Sequence, residues 1–167
     1  MIISNVNLGN NVNIDPTADF NCVNLGNNVK ISKYSSVFGA PTHQIKIGND
    51  TKVSSDCFLN GFDALLEIGE RCGISRHTHI LTGSGPWSKK MEKAFPVVRG
   101  PVKIGDDCWI GADSIIMPNV TLGEFCIVAG NSFVSKSFPA FSIIGGNPAK
   151  LIRTFTEEEK SKVLSGD

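Results

Sequence analysis

The side chains in this sequence best suited to proton transfer are three histidines, His43, His77 and His79. An imidazole changes its charge near neutral pH, and a general base of this kind contributes typically ~10²–10⁴-fold to a rate. Two of the three lie close together in ISRHTHI, residues 74–80. The sequence therefore points to proton chemistry near residues 77–79, provided that the surrounding elements turn these imidazoles outward.

The most regular stretch of the chain, residues 101–153, has an aliphatic residue at every sixth position. These residues are Ile104, Ile110, Ile116, Leu122, Val128 and Val134. Four of them are followed directly by glycine or alanine. A period of six fits neither an α-helix nor an alternating strand. It is typical of a solenoid, so the sequence predicts an all-β fold, a parallel β-helix of hexapeptide repeats.

The repeat begins near the N-terminus, where NLGNNV occurs at residues 7–12 and again 17 residues later. This spacing is close to three hexapeptides, which is one turn of a triangular coil with three short strands. Each hexapeptide sends inward its opening aliphatic residue and a small residue four positions later. Thr78 occupies that second slot, so we expect His77 and His79 to point outward.

Four of the five cysteines occupy the same small inward slot. They are Cys57, Cys72, Cys108 and Cys126. Free cysteine behaves as a small hydrophobic residue, so we predict packed thiols rather than disulfides or a metal site. The repeat slips its register near Cys22, whose place the pattern does not predict.

Three breaks interrupt the repeat, at residues 37–46, 61–67 and 83–100. The third is longer than a turn needs, which predicts a functional active-site loop. After the last repeat, Thr156 and Glu159 form a capping-box pattern that predicts a short C-terminal helix at about 156–165. We expect this helix to cover the open strand edge of the last coil.

Composition argues against several classes of partner. The 167 residues suit a single domain, residues 1–167, and 16 basic residues balance 16 acidic ones. Neither a nucleic-acid patch nor a membrane span is indicated. The first residues lack the basic and apolar regions of a signal peptide, which predicts a cytoplasmic protein.

Two motifs carry a resemblance to a known family: IGDDCWIGA at residues 104–112 and GNPAKLIR at 146–153. They resemble those of the hexapeptide-repeat acyltransferases, which are left-handed parallel β-helix enzymes. The nearest branch contains the maltose, galactoside, xenobiotic and polysaccharide O-acetyltransferases. The resemblance implies a homotrimer, acetyl-CoA bound between neighbouring subunits, and acetyl transfer to a sugar hydroxyl or amine.

The same resemblance suggests a set of donor-binding residues. They are Trp109, Ala112, Gly130, Lys136, Pro148, Lys150 and Arg153. Trp109, Ala112 and Gly130 match positions along the pantetheine arm, although small residues are also needed there for packing. The other four match the nucleotide and phosphate end; a solvated basic rim is the alternative.

Three further residues are predicted to contact the acceptor. Asn60 matches an asparagine that faces the acceptor in the resembling family. The alternative is a corner asparagine with no contact to the acceptor. Ser84 and Trp87 lie in the long loop.

The chain departs from this family at the catalytic position. The general base there is a histidine that follows a Thr-Gly sequence at the start of the long loop, but this chain has Gly85, or Ser84 if the loop slips by one. Our candidate base is therefore His79, five positions after Ile74, with His77 beside it. Because a neutral amine is already nucleophilic, loss of the base is less costly for N-acetylation than for O-acetylation, and both remain open.

Two other functions fit the same fold. One is a zinc enzyme resembling the γ-class carbonic anhydrases, which bind zinc with three histidines; His43, His77 and His79 would be the ligands. The other is a non-catalytic trimeric protein, which Gly85 suggests. The acetyltransferase, for which we expect no metal, is favoured because the donor motifs are present.

Overall fold

The computed structural model describes residues 4–165, which form 22 short strands and two short helices. In chain order the first twelve strands are β1 (Val6–Leu8), β2 (Asn13–Ile14), β3 (Asp19–Asn21), β4 (Val23–Leu25), β5 (Lys30–Ile31), β6 (Ser36–Phe38), β7 (Ile45–Ile47), β8 (Lys52–Val53), β9 (Phe58–Asn60), β10 (Leu66–Ile68), β11 (Gly73–Ile74) and β12 (His79–Leu81). The remaining elements are β13 (Gly83–Ser84), α1 (Lys89–Glu92), β14 (Val98–Arg99), β15 (Val102–Ile104), β16 (Trp109–Ile110), β17 (Ile115–Ile116), β18 (Thr121–Leu122), β19 (Ile127–Val128), β20 (Phe133–Val134), β21 (Ser142–Gly145), β22 (Lys150–Thr154) and α2 (Glu157–Leu164).

Successive coils stack their strands into three flat faces. Face 1 has the order β1-β4-β7-β10-β15-β18, face 2 the order β2-β5-β8-β11-β16-β19-β21-β22, and face 3 the order β3-β6-β9-β12-β17-β20. The strands pair in parallel from coil to coil, and the last pair of face 2, β21 with β22, is antiparallel. This confirms the prediction of an all-β, left-handed parallel β-helix.

The hexapeptide aliphatic residues form a single continuous core. Ile74, Ile110 and Val128 stack in neighbouring coils of face 2, and each is almost fully buried. A coil gives the core only two inward residues per hexapeptide, so most of the buried area comes from this stacking of identical positions. The predicted register of residues 101–153 is therefore confirmed.

The inward cysteines are free and buried, as predicted. Each thiol lies in hydrogen-bonding distance of a backbone carbonyl; the Cys72 Sγ is 3.1 Å from the Gly105 oxygen, for example. Burial raises the pKa of the Cys57 thiol to about 11. Cys22, which the pattern left unplaced, is also buried, at a corner with a positive φ of 51°.

The glycine after many repeat-opening residues has a packing cause. A Cβ on Gly105 would lie 2.6 Å from the backbone nitrogen of Glu124 in the next coil. Real Cβ atoms do not approach backbone so closely, hence larger residues would push the coils apart. The repeat therefore needs a small residue at this corner.

Residues 83–100 leave the coil as an arm. Its base is the short antiparallel pair of β13 and β14, and its tip carries α1. The Gly100 N–H donates to the Thr82 carbonyl at 3.0 Å, which closes the arm where it departs. The predicted long loop is thus an ordered hairpin.

The C-terminal end of the coil corrects one expectation. The helix α2 is present, and Thr156 and Glu159 form the predicted capping box. However, β22 pairs with β21 and covers the edge of face 2, while α2 buries none of its residues. By pairing with β21, the strand β22 satisfies the open backbone groups of that edge.

Candidate active site

A cavity of about 760 Å³ lies between the arm and the second break of the repeat. Its walls bring together Ser84 and Trp87 from the arm with Phe62 and Asp63 from the break. The Trp87 side chain is fully exposed, so its indole ring is free to contact a ligand. Two residues predicted to contact the acceptor therefore line one cavity.

The charges around this cavity are arranged in two ion pairs. Arg99 donates from Nε to Asp63 Oδ1 at 3.0 Å, which joins the arm to the break. Lys89 and Glu92 pair at 2.8 Å within α1. The hydrogen bond and positive charge of Lys89 lower the pKa of the Glu92 carboxyl. The cavity thus combines exposed aromatic rings with neutralised charge, which suits a polar ligand with a flat face.

A groove of about 890 Å³ runs along face 1. Its walls are backbone at the glycine corner and alternating charges such as Lys46 and Glu67, which pair at 2.9 Å. None of the residues predicted to bind donor or acceptor lines it. The arm cavity is therefore the better candidate site.

Gly85, where the resembling family has its histidine, is exposed but lies opposite Val97 in the arm. A Cβ on Gly85 would lie 2.7 Å from the Val97 Cα on the opposite side of the arm. A side chain at position 85 would therefore require Val97 and the arm backbone to shift. The departure seen in the sequence is matched by the structure around it.

His79 and His77 point outward, as expected, but their surroundings differ. His79 is exposed on face 3, and its ring meets the ring of Phe58 edge-on at a centroid distance of 5.9 Å. The His77 Nδ1 lies 3.2 Å from Asp113 Oδ1, and its Nε2 lies 3.7 Å from Asp56 Oδ2. His77 is thus bound into a corner column, whereas the imidazole nitrogens of His79 have no hydrogen bond to residues 4–165.

His43 holds the backbone of the second break beside the arm cavity. Its Nε2 lies 3.1 Å from the Phe62 carbonyl oxygen, and its Nδ1 lies 2.8 Å from the Thr42 hydroxyl. Asn60 acts similarly, because its Oδ1 accepts from the Phe62 N–H at 2.9 Å. Both side chains hold the second break in place rather than lining the cavity themselves.

The donor residues predicted near the pantetheine arm lie together on one side of the coil. The exposed Trp109 leans over Gly73, and its Nε1 donates to Ser75 Oγ at 3.2 Å. Ala112 and Gly130 occupy matching corners of successive coils, where the Asn131 N–H donates to the Ala112 carbonyl at 2.8 Å. The Trp109 ring is thus directed toward the preceding coil, whereas Ala112 and Gly130 contact each other at the corner.

The four residues predicted at the phosphate end lie near the last coil. Pro148 lies in the β21–β22 connection and Lys150 begins β22, while Lys136 is exposed with its Nζ 5.5 Å from the centroid of the Phe138 ring. The Arg153 guanidinium is turned toward α2, where it forms a bidentate pair with Glu159 at 2.7 and 2.8 Å. All four of these residues are exposed, and Arg153 is in addition paired with Glu159.

Sequence reasoning missed Asp63, Arg99 and Phe62 as residues of the cavity. They lie in irregular stretches, where no repeat indicates which residues meet. Their position in breaks of the pattern is the only signal that could have identified them.

Among residues 4–165, no three His, Cys, Asp or Glu side chains are grouped closely enough to hold a metal ion. In that same part of the chain, neither helix has the length and apolar character needed to cross a membrane.

Comparison with known proteins identifies the class. The family model described as bacterial transferase hexapeptide (six repeats) matches residues 101–136. These residues match the hexapeptide-repeat family, and the resemblance of the chain to the hexapeptide-repeat acyltransferases is confirmed.

Individual relatives and solved structures with similarity to this chain are acetyltransferases and acyltransferases. The putative colanic acid biosynthesis acetyltransferase WcaF of Escherichia coli is 35% identical over 94 residues, which cover 56% of this chain and 50% of WcaF. The N-acyltransferase AntD of Bacillus cereus, in complex with dTDP and 3-hydroxybutyryl-CoA, superposes with a TM-score of 0.78 at 26% identity, over 94% of this chain and 88% of AntD. A mutant of AntD has been solved with dTDP-4-amino-4,6-dideoxyglucose and coenzyme A.

A third similar protein is a hexapeptide-repeat acetyltransferase of Vibrio cholerae in complex with acetyl coenzyme A. It superposes with a TM-score of 0.61 at 29% identity, over 76% of this chain and 71% of that one. The chain spans about half the length of the curated relative WcaF that it matches.

Proposed function

We propose that this protein is an acyl-CoA-dependent acyltransferase that acylates the amino group of a sugar, with acetyl-CoA as the donor. The similarity to AntD supports this proposal because it extends over nearly the whole of both chains. The amino sugar nucleotide present in one AntD structure indicates the class of acceptor to be tried first. A cytoplasmic homotrimer, with donor bound between subunits, is part of the proposal.

The observation that favours an amine over a hydroxyl is the packing of Gly85 against Val97. A sugar hydroxyl needs a base to become a nucleophile, and the usual base position holds Gly85, whose added Cβ would lie 2.7 Å from the Val97 Cα. A neutral amine attacks without prior deprotonation and loses its proton only afterwards. The same site is therefore better suited to N-acylation than to O-acylation.

The donor residues keep their proposed places. Trp109, Ala112 and Gly130 would line the pantetheine arm, and exposed Lys136 and Lys150 would meet the phosphates. Pro148 and Arg153 would complete that end, with Arg153 first leaving Glu159. On the acceptor side, Ser84 and Trp87 line the cavity and Asn60 fixes its wall.

The reaction is a direct transfer. The amine nitrogen bonds to the thioester carbonyl carbon, the carbon–sulfur bond breaks, and the proton released by nitrogen ends on the CoA sulfur. We propose that His79 relays this proton, since its exposed imidazole has no hydrogen bond to the described residues. His77 is already bound between two carboxylates and serves mainly as the comparison.

A thiol-release assay tests the proposal. Acetyl-CoA is offered with dTDP-4-amino-4,6-dideoxyglucose, and in parallel with dTDP-6-deoxyglucose, which has a hydroxyl at the same carbon. We expect release with the amine, and a loss of about 10²-fold in His79→Ala, the scale of one general base. His77→Ala should lose less. If wild type binds acetyl-CoA yet acylates no acceptor, a non-catalytic role is the better account.

A further inference from the structure

Asp63 reaches the arm cavity at the point where the arm leaves the coil. Its Oδ1 accepts a hydrogen bond from Arg99 Nε at 3.0 Å. Its carboxylate also lies directly against the backbone of Gly83, where an added Cβ would overlap it. The side chain is about one quarter exposed (27%), so it is available to a ligand in the cavity. The Asp63 carboxylate therefore contacts the arm at Gly83. This contact is two residues before Gly85, the position at which the resembling family has its base.

The backbone on both sides of Asp63 is fixed. The Phe62 N–H donates to Asn60 Oδ1 at 2.9 Å, and the Phe62 carbonyl oxygen lies 3.1 Å from His43 Nε2. The Ala64 N–H donates to Thr82 Oγ1 at 3.2 Å. Four contacts, including the one to Arg99, thus hold a single carboxylate in a loop that otherwise lacks regular structure. Such support is what a pre-organised binding group requires.

We propose that Asp63 binds the acceptor's amino group and accepts a hydrogen bond from it during transfer; this inference rests on the proposed function. As the nitrogen–carbon bond forms, the nitrogen gains positive charge. A carboxylate that accepts one of its N–H bonds stabilises that charge. The proton itself is not kept by Asp63, since it ends on the CoA sulfur as the carbon–sulfur bond breaks.

Arg99 pairs with Asp63 without covering the whole carboxylate. Arg99 occupies Oδ1 through one nitrogen, and the carboxylate fills the space that a side chain on Gly83 would take. Asp63 lines the cavity and remains 27% exposed, and this exposed part is what an amine in the cavity can contact. Arg99 is a positioning residue, whereas Asp63 contacts the substrate.

Three variants separate this role from a simple ion pair. Asp63→Asn keeps the shape but removes the charge, Arg99→Gln removes the pair but keeps the carboxylate, and Glu67→Gln makes the same chemical change in an exposed ion pair on face 1. We expect kcat with dTDP-4-amino-4,6-dideoxyglucose to fall by about 10²-fold in Asp63→Asn, the scale of one pre-organised electrostatic contact. Arg99→Gln should lose about fivefold at most, the scale of an exposed ion pair. Glu67→Gln should match wild type.

Binding provides a readout that does not need turnover. Calorimetry compares dTDP-4-amino-4,6-dideoxyglucose with dTDP-6-deoxyglucose, and we expect wild type to prefer the amine and Asp63→Asn to lose that preference. Equal losses in Asp63→Asn and Arg99→Gln, or an unchanged amine preference, would overturn the inference and reduce Asp63 to a structural clip. If wild type acylates no acceptor but still prefers the amine, the proposed function fails while the binding role of Asp63 stands.

Discussion

Arg153 and Glu159 face each other across the connection between β22 and α2, with two hydrogen bonds of 2.7 and 2.8 Å joining guanidinium to carboxylate. The bidentate geometry fixes both planes and links α2 to the coil. An isolated helix of eight residues is unstable in water, so α2 depends on this pair and on its capping box.

The Arg153–Glu159 pair predicts how α2 responds to acid. Hydrogen bonds from Arg153 and from the Thr156 backbone lower the Glu159 pKa from an ordinary 4.5 to about 2. A carboxyl whose pKa is lowered by folding contributes its full stability above the unfolded value, and loses it as pH falls through the folded value. The hydrogen-exchange protection factors of the α2 amides, which correct for the intrinsic pH dependence of exchange, should therefore fall between pH 4.5 and about 2. In Glu159→Gln the same amides should exchange quickly without this step; an identical pH profile in both proteins would contradict the prediction.

The stacked core predicts a large loss of stability on truncation. Ile110 is fully buried between Ile74 and Val128, so Ile110→Ala removes contacts on both sides. We expect the free energy of unfolding to fall by about 2–5 kcal/mol, measured by denaturant titration. Leu8→Ala, at a side chain 52% exposed, is the control and should change it by less than about 0.5 kcal/mol. Similar losses in the two variants would argue against a core built by stacking.

Because the thiols are buried, we expect the folded protein not to react with a thiol reagent. All five cysteines are free and buried, and burial raises the pKa of Cys57 to about 11. Because the thiolate is the reactive form, Ellman's reagent should label no cysteine in the folded protein and five after unfolding. Ser88→Cys, at an exposed site in the arm, should add one thiol that reacts at once. Rapid labelling of wild type would mean that the coil opens readily.

The packing of position 85 predicts that the missing histidine cannot simply be restored. Gly85→His should fail to produce acylation of dTDP-6-deoxyglucose, because its Cβ would meet the Val97 backbone. Gly85→Ala should disturb the arm in the same way, as measured by faster proteolysis within residues 83–100. Ser84→Ala, next to it, is the control and should leave the arm intact. Efficient hydroxyl acylation by Gly85→His would contradict our account of the site.

The repeat was predictable because it depends on local spacing alone. The period of six predicts that Ile104, Ile110 and Ile116 point inward. The same register predicts that Cys57 points inward and His79 outward. The arm cavity was not predictable, since Asp63 and Arg99 are 36 residues apart in stretches without a period. The pairing of such residues is decided by how two irregular segments fold against each other, which spacing does not encode.

The C-terminal end shows the same limit. Thr156 and Glu159 indicated a helix because a capping box is a local motif, and α2 confirms it. The return of β22 onto β21 depends on open hydrogen-bonding groups that exist only once the coil has formed.

The arm leaves and rejoins the coil at one point, so it does not alter the stacking of the coils. Ile68 and Ile104 are partners 36 residues apart, whereas Ile104 and Leu122 are partners 18 apart, and the difference equals the 18 residues of the arm, 83–100. The coil thus continues as if Thr82 were joined to Pro101. An arm of another length or sequence could be grafted at this junction without changing any stacked position, so the arm side of the proposed acceptor site is replaceable on a fixed scaffold.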